Sequence, residues 1–454
     1  MSKWVVAAFV IAMAPALTLA QGRPSKNVAP GGFEQIKVAP IMVVAENTRT
    51  DHLRQTFPAR AAEGKYKTAW DIEWDFVPSM NRKVQLLRIV RAKFQYQDNK
   101  GQWKSITVAR NIELMEAFAA YDDGKTAFLD LAARGANLTV AASKSLLGPA
   151  CVAPGEILAF SHEPKLKIAR EVHDDGLRWL SGHAWTEDEV KGYRGEKLLL
   201  SSFFQAGNYT YAVEFDFTDD GRIIPKLGFT AHNLFNRNGS KQTEGDVHVH
   251  VGCWRLEFDM TVSDSSTTTR GGPTQNDYRL MSRRFDWAGK RFRIADEPFG
   301  ANGLAWETES REGKAQWKAE EFTSLRVQSK EAKNAHTHPI AYDLLPMRTG
   351  SIRDLREAGS AKGKDMDFLN HDFWVTRGPS KKAYHDVPAI AAGRSPLKDQ
   401  PATVWYSSPG LHVPRGEDFG GDSGTSSRSG LALMNWVEFT LRPRNLFDST
   451  PLYP

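Results

Sequence analysis

Apolar and polar positions alternate with a period of two along much of the chain, in short runs broken by turn residues, so the sequence predicts strands rather than helices. The clearest unit is a hairpin. Its alternating runs, Tyr209–Asp216 and Arg222–Thr230, are joined through Asp219-Asp220-Gly221, a composition suited to tight reversal. Another strand is predicted over Val247–Val262, and Asp98-Asn99-Lys100-Gly101 marks a further turn. Helical spacing of apolar positions predicts helix only at Ile112–Ala120 and Leu129–Ser143. Residues 263–275, dense in Ser, Thr and Gly, and residues 414–430, dense in Gly and Ser, read as loops, and no internal repeat is visible. Many strands with few short helices predict a mainly β fold: a large β-sandwich or several packed sheets.

The patterned body begins near Tyr66 and runs to residue 454. Residues 21–65, rich in Gly, Pro and polar side chains without sustained periodicity, read as an N-terminal arm or lead-in. Residues 1–20 carry Lys3, an apolar stretch from Trp4 to Leu17 and then Thr18-Leu19-Ala20, with small residues where a signal peptidase reads. A signal peptide cleaved after Ala20 is expected, and with it a secreted or periplasmic protein. The stretch of about 14 residues is shorter than the ~20 a helix needs to span a bilayer, and no later segment is long enough.

Composition changes this picture little. With 41% hydrophobic and 25% charged residues among 454, the chain can bury a sizeable core. Its net charge of +5 comes from 59 basic and 54 acidic residues that are scattered rather than gathered, which points away from nucleic-acid partners. Two cysteines, Cys151 and Cys253, allow one disulfide but cannot build a disulfide scaffold.

Candidate chemistry enters with the Val247–Val262 strand. Side chains two apart on a strand share a face, so His248 and His250 in Asp-Val-His-Val-His-Val project together, spaced for one metal ion. His336-Thr-His338 is a second such pair, but Pro339 follows directly and no strand pattern surrounds it, so it reads as loop. A third imidazole is available at His412, in Val404-Trp-Tyr-Ser-Ser-Pro-Gly-Leu-His-Val-Pro-Arg415.

This last segment, extended by Glu417-Asp418, resembles the copper amine oxidase stretch that runs through Trp to Thr-His-x-Pro-Arg-x-Glu-Asp. The end of the chain, Trp436-Val-Glu-Phe-Thr-Leu-Arg-Pro443, is also similar to that family. Upstream, Gly207-Asn208-Tyr209-Thr210-Tyr211 resembles the family's Gly-Asn-Tyr-Asp-Tyr, and His173-Asp-Asp-Gly-Leu-Arg-Trp179 its His-Glu-Glu-Asp-Gly-x-x-Trp. The family's order is a tyrosine, then a His-x-His strand, then a lone distant histidine, and all three parts occur here in that order.

The resemblance covers roughly Trp70 to the C-terminus and implies the catalytic-domain β-sandwich of that family, an obligate homodimer. It implies copper on His248, His250 and His412, and a topaquinone made from Tyr209, with Asn208 before it. It also implies oxidation of a small primary amine by oxygen to aldehyde, ammonia and hydrogen peroxide. The family's base aspartate falls on Asp130, or in a rival register on Asp122, with Tyr121 as the tyrosine that hydrogen-bonds the cofactor. Thr210 and Gln205 depart from the family's residues beside the tyrosine, so a non-catalytic secreted member of the fold that binds metal without forming the quinone is the alternative. For the family's second, calcium-like site, Glu257 and Asp259 could serve, while Pro401 stands where a further acid is expected and argues against it.

Overall fold

The structure is a computed structural model. It describes residues 49–59, 67–97, 101–121, 127–132, 137–148, 151–180, 192–206, 209–230, 247–264, 278–284, 305–309, 311–317, 325–350, 364–378, 383–397, 402–413 and 434–447. The expected signal peptide and most of the arm lie outside these residues, as do Asp122, Asn208 and residues 414–430.

In chain order the strands are β1 (Asp51–Phe57), β2 (Thr68–Pro78), β3 (Gln85–Gln97), β4 (Trp103–Tyr121), β5 (Ala127–Leu129), β6 (Asn137–Val140), β7 (Ala153–Phe160), β8 (Glu163–Leu180), β9 (Gly192–Ala206) and β10 (Tyr209–Thr218). They continue with β11 (Ile223–Thr230), β12 (His248–Asp264), β13 (Tyr278–Arg284), β14 (Ala305–Glu309), β15 (Gly313–Ala315), β16 (Leu325–Lys333), β17 (Pro339–Pro346), β18 (Phe373–Arg377), β19 (Ala402–His412) and β20 (Met434–Arg444). Among the described residues one short helix, α1 (Val387–Ala392), and three 3-10 turns complete the list.

Two antiparallel sheets result. The nine-stranded sheet runs β1-β2-β3-β4-β12-β19-β18-β15, with β5 on β4. The eleven-stranded sheet runs β14-β13-β16-β17-β20-β11-β10-β9-β8-β7, with β6 on β9. Their facing surfaces meet through aromatic pairs: Trp70 of β2 stands edge-on to Phe217 of β10 at 5.2 Å, and Trp254 of β12 to Phe215 and Phe439 at 5.9 and 5.7 Å. Each such buried ring contributes on the order of 2 kcal/mol through area removed from water. The large β-sandwich expected from the alternation is the observed fold.

The predicted hairpin forms as β10 and β11, with Thr210 opposite Thr230 and Phe217 opposite Ile223. Gly221 closes its turn at φ 88, in the left-handed region where a side chain would be strained. The strand expected over Val247–Val262 is β12, which extends to Asp264, two residues into the segment read as loop.

The helical expectations do not hold. Ile112–Ala120 belongs to β4, a 19-residue strand buried on both faces near its end. A strand covered on both sides shows a continuous apolar run, which periodicity cannot tell from a buried helix. There the pairing of β4 with β12 outweighs the helix preference of Ala117, Ala119 and Ala120. The described residues of Leu129–Ser143 likewise begin with the end of β5 and a turn and later include β6, which pairs with β9. His336 and His338 lie in the turn before β17, both exposed, as expected of a loop.

Candidate copper and tyrosine site

Register builds the site. In the ladder between β12 and β19, His248 stands directly opposite His412, and in the ladder between β4 and β12 it stands opposite Tyr121. Three side chains from three strands thus form one row on the inner face of the nine-stranded sheet. His250, two residues along β12, shares that face and lies opposite Ala119 and Gly410, whose small size leaves room for its ring. All three histidines are buried.

Their rings cluster. Centroids of His248 and His412 are 4.6 Å apart, those of His248 and His250 4.9 Å, and those of His250 and His412 6.4 Å. With metal–nitrogen bonds of about 2.0 Å, ring centres stand roughly 3.2 Å from the ion, so any two rings sharing it lie within about 6.4 Å. Nε2 of His248 is 3.1 Å from Nδ1 of His412, a hydrogen bond that is also the spacing of two donors on one ion. Nδ1 of His250 meets the Tyr211 hydroxyl at 3.0 Å, while its buried Nε2 has no hydrogen-bond partner. A buried, unpartnered imidazole nitrogen beside two further imidazoles fits a metal ligand. Burial, with the neighbouring His248 and His412, holds His250 well below the usual histidine range, so its ring is neutral and ready to donate.

The facing sheet supplies tyrosines. Tyr209 and Tyr211 start β10 and, being two apart, point to the same side. The buried Tyr209 ring stands edge-on to His250 at 5.0 Å and 6.0 Å from His248. Phe229 of β11, opposite Tyr211 in the hairpin, stacks on His250 at 4.0 Å. Tyr121 stacks on His248 at 4.8 Å. The two sheets close tightly here: a Cβ on Gly410 would lie 1.8 Å from Cγ1 of Val437.

Asp130 completes the cluster. The Tyr211 hydroxyl donates to its Oδ2, making a chain Asp130–Tyr211–His250 from carboxylate to imidazole. Its backbone is tied to β4, Asp130 N–H donating to the Ala117 carbonyl at 2.9 Å. Next to it, Oε1 of the buried Glu116 accepts from the N–H of Leu131 at 2.7 Å. Burial pushes the Asp130 carboxyl up to about 7, against the lowering effect of the Tyr211 hydrogen bond. Tyr211 in turn is held well above the usual tyrosine value, by burial first and the Asp130 charge second.

Of the residues singled out from sequence, the structure therefore brings Tyr121, Asp130, Tyr209, His248, His250 and His412 into one buried cluster. Asn208 and the rival Asp122 lie outside the described residues. Glu257 and Asp259 each face an arginine, Arg255 at 3.6 Å and Arg110 respectively. Cys151 and Cys253 are unpaired. Sequence reading assigned no role to Tyr211 or Phe229. Both were findable, Tyr211 by its two-residue step from Tyr209 and Phe229 by counting the hairpin register back from Asp219-Asp220-Gly221.

Comparison with known proteins identifies the family. Residues 95–453 match the model of the copper amine oxidase enzyme domain. A peroxisomal copper-containing amine oxidase (alpha 2) of Arabidopsis thaliana is 23% identical over 313 residues, 59% of this chain and 41% of that enzyme. Among solved structures, the copper-containing benzylamine oxidase of Hansenula polymorpha superposes with a TM-score of 0.57 at 15% identity, over 84% of this chain and 60% of that one. The Pichia pastoris lysyl oxidase gives 0.53 at 15% identity, over 94% and 58%. The chain thus spans well under two thirds of the length of these relatives, and the structural likeness shows a shared fold. On the family match over most of its length, the chain belongs to the copper amine oxidase family.

Proposed function

We propose that this chain is a copper-dependent primary-amine oxidase, with copper on His248, His250 and His412 and a quinone cofactor made from Tyr209. The observation that carries the reading is one buried cluster in which three imidazoles, Tyr209 and a near-neutral carboxyl meet between the sheets. When bound, copper and the quinone supply the redox chemistry that turns a primary amine, oxygen and water into an aldehyde, ammonia and hydrogen peroxide.

The protein's own residues handle protons and orientation. Asp130, held near neutrality by burial, takes a proton from the carbon bearing the amine nitrogen and later returns it to solvent. Tyr211 fixes that carboxyl through its hydroxyl and, by engaging Nδ1 of His250, leaves Nε2 to face the metal. Tyr121 stacks on His248 and holds its ring plane. Asn208 precedes Tyr209, as in the family's Asn-Tyr pair. The reading extends to an exported homodimer, supported by the apolar segment before Ala20 and by family membership.

The test is aerobic addition of copper to purified apoprotein, followed by visible spectroscopy and phenylhydrazine. A quinone absorbance and a hydrazine adduct are expected, and both are lost in Tyr209→Phe. Absence of both at full copper occupancy refutes the enzyme and leaves a metal-binding, non-catalytic member of the fold.

A further inference from the structure

At the far edge of the eleven-stranded sheet, away from the strands that carry the three histidines, lies a second group of metal-binding side chains. Glu171 and His173 sit two apart on β8 and so share a face. Cys151 precedes the edge strand β7, whose Ala153 pairs with Val172, between those two residues. The Val152 N–H also donates to the Val172 carbonyl at 2.7 Å, which fixes the cysteine against the pair.

The three donor atoms converge. Cys151 Sγ is 3.3 Å from Oε1 of Glu171 and 3.7 Å from Nε2 of His173, and that nitrogen is 3.3 Å from Oε2 of Glu171. All three donor atoms lie within 4.8 Å of one another. For bonds of about 2.3 Å to sulfur and 2.0–2.2 Å to nitrogen and oxygen, a tetrahedron has edges of roughly 3.4–3.6 Å. The observed spacings straddle that range. The three side chains are part-buried rather than sealed, and the backbone passing over them is Gly148, where a Cβ would sit 3.4 Å from Glu171 Oε1 and 3.6 Å from His173 Cε1.

We propose that Cys151, Glu171 and His173 form a second metal site for a zinc-like divalent cation, with water or an exogenous ligand in the fourth position. One sulfur, one imidazole and one carboxylate make a borderline donor set of the kind zinc takes, and three protein ligands leave its fourth position free. Without metal, burial and the adjacent Glu171 carboxylate hold the Cys151 thiol above its ordinary value, so sulfur keeps its proton and donates to Glu171. On binding, the S–H bond breaks, the metal–sulfur bond forms and one proton leaves to solvent, with no change in oxidation state. This site stands independently of the copper reading.

Cobalt(II) tests it, because thiolate ligation to cobalt gives a sulfur-to-metal charge-transfer band. Titration of the copper-loaded full chain under argon is expected to raise that band with one equivalent per chain, and zinc(II) to abolish it. Cys151→Ser should remove the band, and Glu171→Gln should weaken cobalt binding by about tenfold or more. Copper held on the triad throughout the titration separates this site from it. The other sulfhydryl, Cys253, is fully buried and does not compete. No band, or a band that survives Cys151→Ser, overturns the proposal; if that variant does not fold, undiminished cobalt affinity in Glu171→Gln overturns it equally.

Discussion

Replacing Asp130 by Asn separates the two consequences of its burial. The carboxyl sits at about 7 in the folded chain against 3.8 in the open chain, a rise of about three units, or ~4 kcal/mol at 1.36 kcal/mol per unit. Between pH 4 and pH 7 the folded state holds a proton that the unfolded state has released, so stability falls as pH rises through that window and levels off above it. Asparagine keeps an oxygen for the Tyr211 hydroxyl but carries no charge to desolvate. The stability of Asp130→Asn should therefore gain on the parent by ~4 kcal/mol between pH 4 and pH 8. Urea unfolding of the copper-free proteins across that range measures it, copper being omitted because its charge would act on the carboxyl. In the copper-loaded variant kcat/KM should drop by about 10²–10⁴. A stability gap that stays constant with pH, or narrows, refutes the assignment of a strained neutral acid at this position.

Further substitutions probe the surroundings. Tyr211→Phe removes the donor that lowers the Asp130 carboxyl, so the rise of kcat/KM with pH should move to higher pH, with a stability loss of about 1–2 kcal/mol in chemical denaturation. Gly410→Ala places a methyl into Val437 where the sheets close; a loss of about 1–3 kcal/mol in thermal unfolding is expected, and an unchanged midpoint would contradict the close approach. His412→Ala removes one of three imidazoles and should weaken copper binding by at least about 100-fold in a competitive chelator titration. His336→Ala, on an exposed turn, should leave copper binding unchanged in the same titration.

What the sequence showed and hid follows from burial. The β10–β11 hairpin was legible because its turn residues sit between two alternating runs. The end of β4 was not, because a strand buried on both faces loses the alternation that betrays a strand, and alanines there favour helix locally. Of the site, His248 and His250 announce themselves by spacing on one strand. His412 does not, since its place opposite His248 depends on a ladder between segments 164 residues apart. Asp130 was placed through a resemblance; Tyr211 could be put on the face of Tyr209 by its two-residue step, but its hydrogen bond to Asp130 depends on the packing of the two sheets.

The row Tyr121–His248–His412 also bears on the order in which the protein is assembled. During synthesis the segment carrying His248 and His250 emerges long before His412, and two imidazoles alone make an incomplete, weak site. Pairing of β12 with β19 closes a long loop, a slow event relative to local hairpins such as β10–β11. Under the proposed copper reading, metal capture would wait on the completed nine-stranded sheet, and a metal offered to the nascent chain would find the tyrosine and two histidines but not yet the third.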